Sequence, residues 1–165
     1  MLAIKEQTMS DVPPFTRPAA LAAAELILDI FHTLTTHYEL DLEAIWILTV
    51  IGHETMRPWI LDPTLAAEHL TAERVPDSVR GSISRLMVAD RTGLPRETVR
   101  RRISELSAAG FIALDEKGHV RLTGDRVASS GYQTGVADIY SAVERYRKRV
   151  AAFAVKPTDG SAPES

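Results

Sequence analysis

Four arginines fall within seven residues of this chain, in the segment Arg96–Arg102, together with Glu97 and Thr98. A guanidinium group is a planar fork of N–H donors, which matches paired acceptors such as two phosphate oxygens or the O6 and N7 atoms of a guanine. A carboxylate can accept a hydrogen bond from the amino group of a cytosine. The segment therefore has the chemistry to bind a phosphate backbone and to distinguish base edges.

The apolar residues of the same region indicate which of these side chains face outward. Val99, Ile103 and Leu106 recur every three to four residues, which predicts the buried face of a helix. Pro95 suits the first position of that helix, where its missing N–H has no partner to lose, and Gly110 is expected to end it. The side chains expected to point outward near the N-terminal end are those of Arg96, Glu97, Arg100 and Arg101.

Short secondary-structure elements are predicted before and after this helix. Apolar residues at Ile83, Leu86, Met87 and Ala89 predict a short amphipathic helix before it. The turn between the two helices contains Gly93, which supplies the backbone freedom of a tight corner. After the second helix, β-type runs at 111–114 and 119–123 enclose a turn at 115–118, which is the pattern of a hairpin. Helix, turn, helix and hairpin is the element order of a winged helix-turn-helix.

The stretch from Gly93 to Arg101, followed by Leu106 and Gly110–Ile112, resembles the helix-turn-helix of bacterial winged-helix transcription regulators. It is most similar to the cyclic-AMP receptor type, whose recognition helix carries Arg-Glu-Thr-Val with an arginine two residues after the valine. The likeness covers about 40 residues, from Ser82 to Leu122. The flanking helices resemble the MarR-type arrangement, in which the terminal helices of two subunits interlock.

The resemblance implies that Arg96, Glu97 and Arg101 read bases and that Thr98 holds a phosphate. Glu97 has a second interpretation, as an acid stabilised by the positive end of the helix dipole. Arg102 lies beside the buried stripe and is expected to reach a phosphate or a neighbouring helix, whereas Lys117, His119 and Arg121 of the hairpin could touch the DNA backbone or minor groove. The predicted DNA-binding residues are Arg96, Glu97, Thr98, Arg100, Arg101, Arg102, Lys117 and Arg121.

The predicted fold is mainly α with a small β-hairpin wing, a winged helix-turn-helix flanked by N- and C-terminal dimerisation helices. Residues 1–17 are interpreted as a flexible tail, 18–75 as an N-terminal helical region for dimerisation, 76–126 as the DNA-binding domain, 127–155 as a C-terminal dimerisation helix and 156–165 as a disordered tail. A two-fold homodimer would place two recognition helices about one DNA turn apart and predicts a palindromic operator.

The helical regions carry further local signals. Asp41 is a suitable N-cap for a helix with the strongly apolar segment 44–52, which Pro58 is expected to end. Asp62 and Pro63 could begin a short helix that continues to about residue 70. Because segment 44–52 is apolar on most sides, part of its burial is expected to come from a second copy of the chain.

Charge is unevenly distributed along the chain. The segment Arg80–Leu122 holds nine basic and five acidic residues, whereas the whole chain has a net charge of −3. The segment therefore carries a surplus of four positive charges, and the remainder carries −7. A basic module in an acidic chain is the distribution that local phosphate binding requires.

Composition and motifs exclude several classes of protein. The absence of cysteine excludes a disulfide scaffold, a thiol nucleophile and a thiolate metal site. No signal-peptide pattern is apparent, and segment 44–52 is far shorter than the ~20 residues of a membrane span, so a cytoplasmic protein without membrane contact is expected. The five histidines lack the spacing of a metal site, and no catalytic constellation supports an enzyme or a cofactor.

Two other functions stay open. A winged helix can act as a non-catalytic protein-interaction module without contacting DNA. The chain could also be a small-molecule-gated repressor of the same fold, with an effector between the helical region and the winged helix. Phe31, Trp46 and Trp59 could line such a pocket, although aromatic residues at helical spacing are more often part of a core.

Overall fold

The computed structural model describes residues 15–69, 75–124 and 130–154. This part of the chain is mainly helical with one two-stranded antiparallel sheet, which confirms the predicted fold class at that level. It divides into two compact units, which comprise the described residues among 33–136 (the central unit) and residues 15–32 with 137–154 (the terminal-helix unit). Of the two predicted tails, 156–165 lies outside the described residues. In 1–17 only the end is described, and there Thr16 and Arg17 are already helical.

The helices are α1 (Thr16–Tyr38), α2 (Leu42–Leu61), α3 (Pro63–Glu68), α4 (Arg85–Thr92), α5 (Arg96–Ala108) and α6 (Ser130–Ala154), with a 3-10 turn at Asp77–Val79. The strands are β1 (Ile112–Leu114) and β2 (Val120–Leu122), which pair with Ala113 opposite Arg121. Gly118 has a φ of 74° in the turn between the strands, a conformation that favours glycine. The predicted hairpin is therefore present.

Helix α2 lies at the centre of the core of the central unit. Asp41 is the predicted N-cap, and its Oδ1 accepts a hydrogen bond from the Ala44 N–H at 2.9 Å. Ile47 and Ile51 are fully buried, in one cluster with residues of α4, α5 and the hairpin. The chain itself therefore buries most of this apolar segment, although Trp46 is 42% exposed. The helix that the sequence assigned to dimerisation belongs to the same core as the predicted DNA-binding domain.

The prediction that Pro58 ends this helix is wrong, since α2 continues to Leu61. A proline has no N–H, so the carbonyl four residues before it, that of Glu54, loses its helical donor. The next carbonyl, that of Thr55, accepts a hydrogen bond from the Gly81 N–H at 2.8 Å. The segment around Gly81 thus packs against the backbone of α2 close to Pro58. It gives the Thr55 carbonyl a hydrogen-bond donor from outside the helix.

The short helix before the turn differs in register from the prediction. Ile83 lies outside the helix and forms an isolated antiparallel bridge with Val120. Because that bridge uses Ile83, α4 begins only at Arg85, after the Ser84 N-cap. Its buried residues are Val88 and Ala89, whereas Leu86 and Met87 are exposed.

In the terminal-helix unit, α1 and α6 pair through small and charged side chains. Ala22 and Ala142 are its buried apolar residues among those described. The Arg145 Nη2 lies 2.7 Å from Asp29 Oδ2, and Arg149 pairs with Glu25. By length and composition alone, α1 is also apolar enough to cross a membrane, a property that the shorter segment 44–52 lacks.

Candidate nucleic-acid interface

The orientation of α5 follows from its three buried residues. Val99, Ile103 and Leu106 are 1–2% exposed and lie in the core cluster with α2 and α4, which confirms the predicted inner face. Pro95 is the residue before the helix instead of its first residue, and Gly110, with a φ of 77°, follows the helix end. The exposed side chains of the first two turns are Arg96, Glu97, Arg100 and Arg101.

The turn between α4 and α5 fixes the beginning of this helix. Gly93 has a φ of 69°, and its N–H donates to the Ala89 carbonyl at 2.9 Å, so the chain reverses at the predicted glycine. The Thr92 hydroxyl donates to the Val88 carbonyl at 2.7 Å. The indole N–H of Trp46 on α2 donates to the Thr92 carbonyl at 3.2 Å, which ties the turn to the central helix. The N-terminal end of α5 is thereby held in one place.

Arg96, Glu97 and Arg100 form the outermost part of the candidate interface. Within the described part of the chain, the Arg96 side chain makes no hydrogen bond or ion pair. Arg100 instead holds both oxygens of Glu97, with Nε at 2.9 Å and Nη2 at 2.5 Å. The hydrogen bonds from Arg100 and its positive charge lower the pKa of Glu97, so the carboxylate is ionised at neutral pH. The Arg96 guanidinium is therefore exposed without a partner among the described residues, whereas Arg100 and Glu97 neutralise each other.

Arg101 and Arg102 belong to a larger network of charges. Arg102 is 20% exposed, and its guanidinium donates to Glu43 Oε2 and Asp41 Oδ2 at 2.7 Å each and to Glu105 Oε2 at 3.0 Å. Arg101 is 54% exposed, with Nη1 at 2.9 Å from Glu105 Oε1 and Nη2 at 3.8 Å from Glu43 Oε2. Hydrogen bonds to Glu43 and Glu105 raise the pKa of Arg102. Arg102 therefore joins α5 to α2, whereas Arg101 keeps much of its surface exposed.

The first turn of α5 also has backbone groups available. Thr98 is half-buried there. Pro95 precedes the helix and provides no side-chain cap, so within the described part of the chain the first N–H groups of α5 have no capping oxygen from the residue before the helix. Such N–H groups are suited to bind a phosphate.

The hairpin places its two predicted contact residues differently. Lys117 is exposed, and its side chain makes no ion pair with the described residues. Arg121 Nη2 lies 3.3 Å from Asp77 Oδ2. The other oxygen of Asp77 accepts from Arg80 at 2.9 Å. The structure thus leaves Lys117 free at the turn and holds Arg121 at the base of the hairpin.

Sequence reasoning missed four residues that contribute to this surface. Asp41, Glu43 and Glu105 set the environment of Arg101 and Arg102. The spacing of Glu105, four residues after Arg101, was a detectable helical ion-pair signal, but nothing local links Asp41 or Glu43 to α5. Arg85 is the fourth: it is exposed at the start of α4, with Nη2 3.9 Å from where a Cβ of Gly118 would lie.

Among the described residues, no group of three or more His, Cys, Asp or Glu side chains is arranged to hold a metal ion. Comparison of the chain with protein-family models, with curated protein sequences and with solved structures gives no match.

Proposed function

We propose that this chain is a DNA-binding transcription regulator with a winged helix-turn-helix, in which α5 enters the major groove. The observation that carries the proposal is the two-sided character of α5. Val99, Ile103 and Leu106 on its inner face are buried in the core. Its N-terminal turns expose Arg96, Arg100 and Arg101 on the outer face. The N-terminal turns of a recognition helix are the part that reaches base edges. The hairpin would be the wing, with Lys117 at its tip.

The ion pairs on α5 are compatible with this function where they are exposed. The side chains of Arg100 and Glu97 are 61% and 75% exposed. Exposed ion pairs contribute little to stability, so they can exchange for contacts with phosphates or bases. Arg102 is different because it satisfies three carboxylates in a part-buried position. We therefore assign base reading and phosphate contacts to Arg96, Arg100 and Arg101, and give Arg102 another role.

We further propose that a second copy of the chain covers α1 and α6. Leu21 and Leu28 are 66% and 67% exposed, whereas the described buried apolar residues of the terminal-helix unit are two alanines. Two helices with so small a core need further apolar contact to be stable. Insertion of α1 into a membrane would carry Glu25 and Asp29 into hydrocarbon, which is costly for charged groups. A cytoplasmic homodimer that binds a palindromic operator is the arrangement that we favour.

Fluorescence polarisation with labelled random duplex DNA at low salt tests the proposal, followed by selection of bound sequences from a random pool. We expect wild-type binding to fall steeply with salt as counterions are released. Arg101→Ala should weaken binding, whereas Arg57→Ala should not. Arg57 is a matched control because it is 52% exposed, pairs with a glutamate and lies fourteen residues beyond Glu43 on α2, about 21 Å along the helix. Wild type that shows no binding would refute the proposed function.

The neutralised arginines of α5 favour one alternative, a non-catalytic protein-interaction module. Arg100 and Arg102 both have carboxylate partners within the chain, which reduces the positive field that α5 offers to DNA. Such a module would show no steep salt dependence with duplex DNA. The same titration therefore separates the two functions.

An open groove between α1 and α6, on the surface that the proposed second copy would cover, is the observation behind the alternative of a small-molecule-gated repressor. It has a volume of about 360 Å³, and Leu21, Ala22 and Phe153 are among its lining residues, with Glu25 and Arg149. Its lining suits an apolar ligand with a polar end. The test is whether a ligand found by a thermal-shift screen also changes the affinity of the chain for its selected DNA.

A further inference from the structure

Five charged side chains join the exposed face of α5 to the N-terminal end of α2. We call them the α2–α5 charge cluster: Asp41, Glu43, Arg101, Arg102 and Glu105. Two of its carboxylates lie beside both arginines. Glu43 Oε2 is 2.7 Å from Arg102 Nε and 3.8 Å from Arg101 Nη2. Glu105 is 3.0 Å from Arg102 Nη1 and 2.9 Å from Arg101 Nη1. The two arginines therefore share the same acids.

The two arginines occupy different depths in this cluster. Arg102 is 20% exposed and uses Nε, Nη1 and Nη2 on three different carboxylates, so its guanidinium is committed to the protein. Arg101 is 54% exposed and makes one short contact, with Glu105. The inner arginine thus neutralises most of the acid, and the outer arginine stays accessible.

We propose that Arg102 is a positioning residue that keeps Arg101 available to DNA by occupying the carboxylates that would otherwise hold it. The inference rests on the proposed DNA-binding function. With Arg102 present, three carboxylates face two guanidinium groups. Without Arg102, the two carboxylates that lie beside Arg101, those of Glu43 and Glu105, have Arg101 as their remaining cation in the cluster and draw it towards α2 and away from the groove. Arg102 therefore acts on binding through Arg101, without touching DNA itself.

A double-mutant cycle on DNA affinity tests this role. Affinity for a duplex selected from a random pool is measured by polarisation at fixed low salt for wild type, Arg101→Ala, Arg102→Met and the double variant. We expect each single variant to bind about tenfold more weakly, as for loss of one base contact. The double variant should bind no more weakly than Arg101→Ala alone. If Arg102 contacted a phosphate independently, the two losses would multiply, and that outcome would overturn the proposal.

Removal of a competing carboxylate provides a second measurement. Glu43→Gln should restore most of the affinity lost in Arg102→Met, because Arg101 then meets one acid fewer. Asp90→Asn is the matched control, since it removes an exposed acid of α4 outside the cluster. Equal rescue by the two variants would mean that only net charge matters and would contradict the positioning role.

Folding is monitored by urea unfolding for every variant, because Arg102→Met leaves three carboxylates without their main cation. Arg102→Lys keeps the charge but loses the planar fork. It should give an intermediate affinity, and its loss should also disappear in the Arg101→Ala background. A wild-type chain that does not bind DNA refutes the proposed function itself. Binding by wild type with additive losses in either cycle refutes only the role of Arg102.

Discussion

Replacement of Gly81 by alanine tests how the central unit is held together at the proline of α2. A Cβ on Gly81 would lie 2.6 Å from the carbonyl oxygen of Glu54 and 3.3 Å from Pro58 Cγ. The first distance is far inside van der Waals contact, and a backbone carbonyl in a helix cannot turn away as a flexible side chain can. The Gly81 N–H also donates to the Thr55 carbonyl at 2.8 Å, so retreat of the segment would cost this bond.

The expected loss of stability follows from these contacts. Overpacking of a well-packed region costs about 1–3 kcal/mol, and we expect Gly81→Ala to lower the free energy of unfolding by about 2 kcal/mol. For a domain of about 100 residues, which is the size of the central unit, a loss of about 2 kcal/mol corresponds to a fall in Tm of about 8–16 °C. The effect would arise from contact with the α2 backbone, because Gly81 is not among the glycines with a positive φ.

Urea and thermal unfolding followed by circular dichroism measure this effect, with Gly131→Ala as the matched control. Gly131 is helical, and a Cβ there would meet nothing within 4 Å. Gly131 is the second residue of α6 and alanine is the better helix former, so the same chemical change should not destabilise the protein at Gly131. The reasoning is refuted if Gly81→Ala unfolds with the midpoint of wild type, or if the two variants shift stability in the same direction.

Three further predictions concern the dimer, the charge cluster and the hairpin. Leu28→Glu should convert the proposed dimer into a monomer in light scattering while the helical signal is retained, because Leu28 is 67% exposed in one chain. In the folded state the pKa of Asp41 is lowered mainly by the hydrogen bond from the Ala44 N–H. The pKa of Glu105 is lowered mainly by the hydrogen bond from Arg102. Their contribution to stability is therefore present above pH 4.5 and lost as pH falls below it, and the Arg102→Met variant should lose less stability over that range. Thr55→Val should cost about 1–3 kcal/mol in urea unfolding, because the buried Thr55 hydroxyl accepts from a backbone N–H of β2 at 3.1 Å.

The parts of the fold that the sequence predicted correctly are those with local signals. The inner face of α5 is visible as the spacing of Val99, Ile103 and Leu106, and Gly93 and Gly110 mark positive-φ positions next to the helix ends. The hairpin has the same character, since its turn and both strands lie within a dozen residues. Each of these features depends on neighbours in sequence, so periodicity and turn residues were sufficient.

The errors have non-local causes. Pro58 was expected to end α2, but the segment at Gly81 lies against the affected backbone, and nothing near Pro58 in the sequence announces this partner. The register of α4 was misplaced because Ile83 pairs with Val120 across the core. The burial of the apolar segment of α2 within the chain is also non-local, because it depends on α4, α5 and the hairpin together, whereas the contact of this segment with a second copy of the chain stays a prediction.

The charges of the candidate site are also only partly predictable from local sequence. Counting four arginines in seven residues overstates the positive field of α5, because carboxylates 59 and 61 residues away in sequence neutralise Arg102. Local spacing is sufficient for the pairs of Arg100 with Glu97 and of Arg101 with Glu105, and it places Arg102 beside the buried stripe, but it does not identify Asp41 and Glu43 as the partners of Arg102. Among the described residues, Arg96 is the one arginine of these four that has no carboxylate partner. It therefore has no ion pair to break before it contacts a base. We therefore expect Arg96 to contribute more to the proposed DNA affinity than an equal share among the four arginines would give.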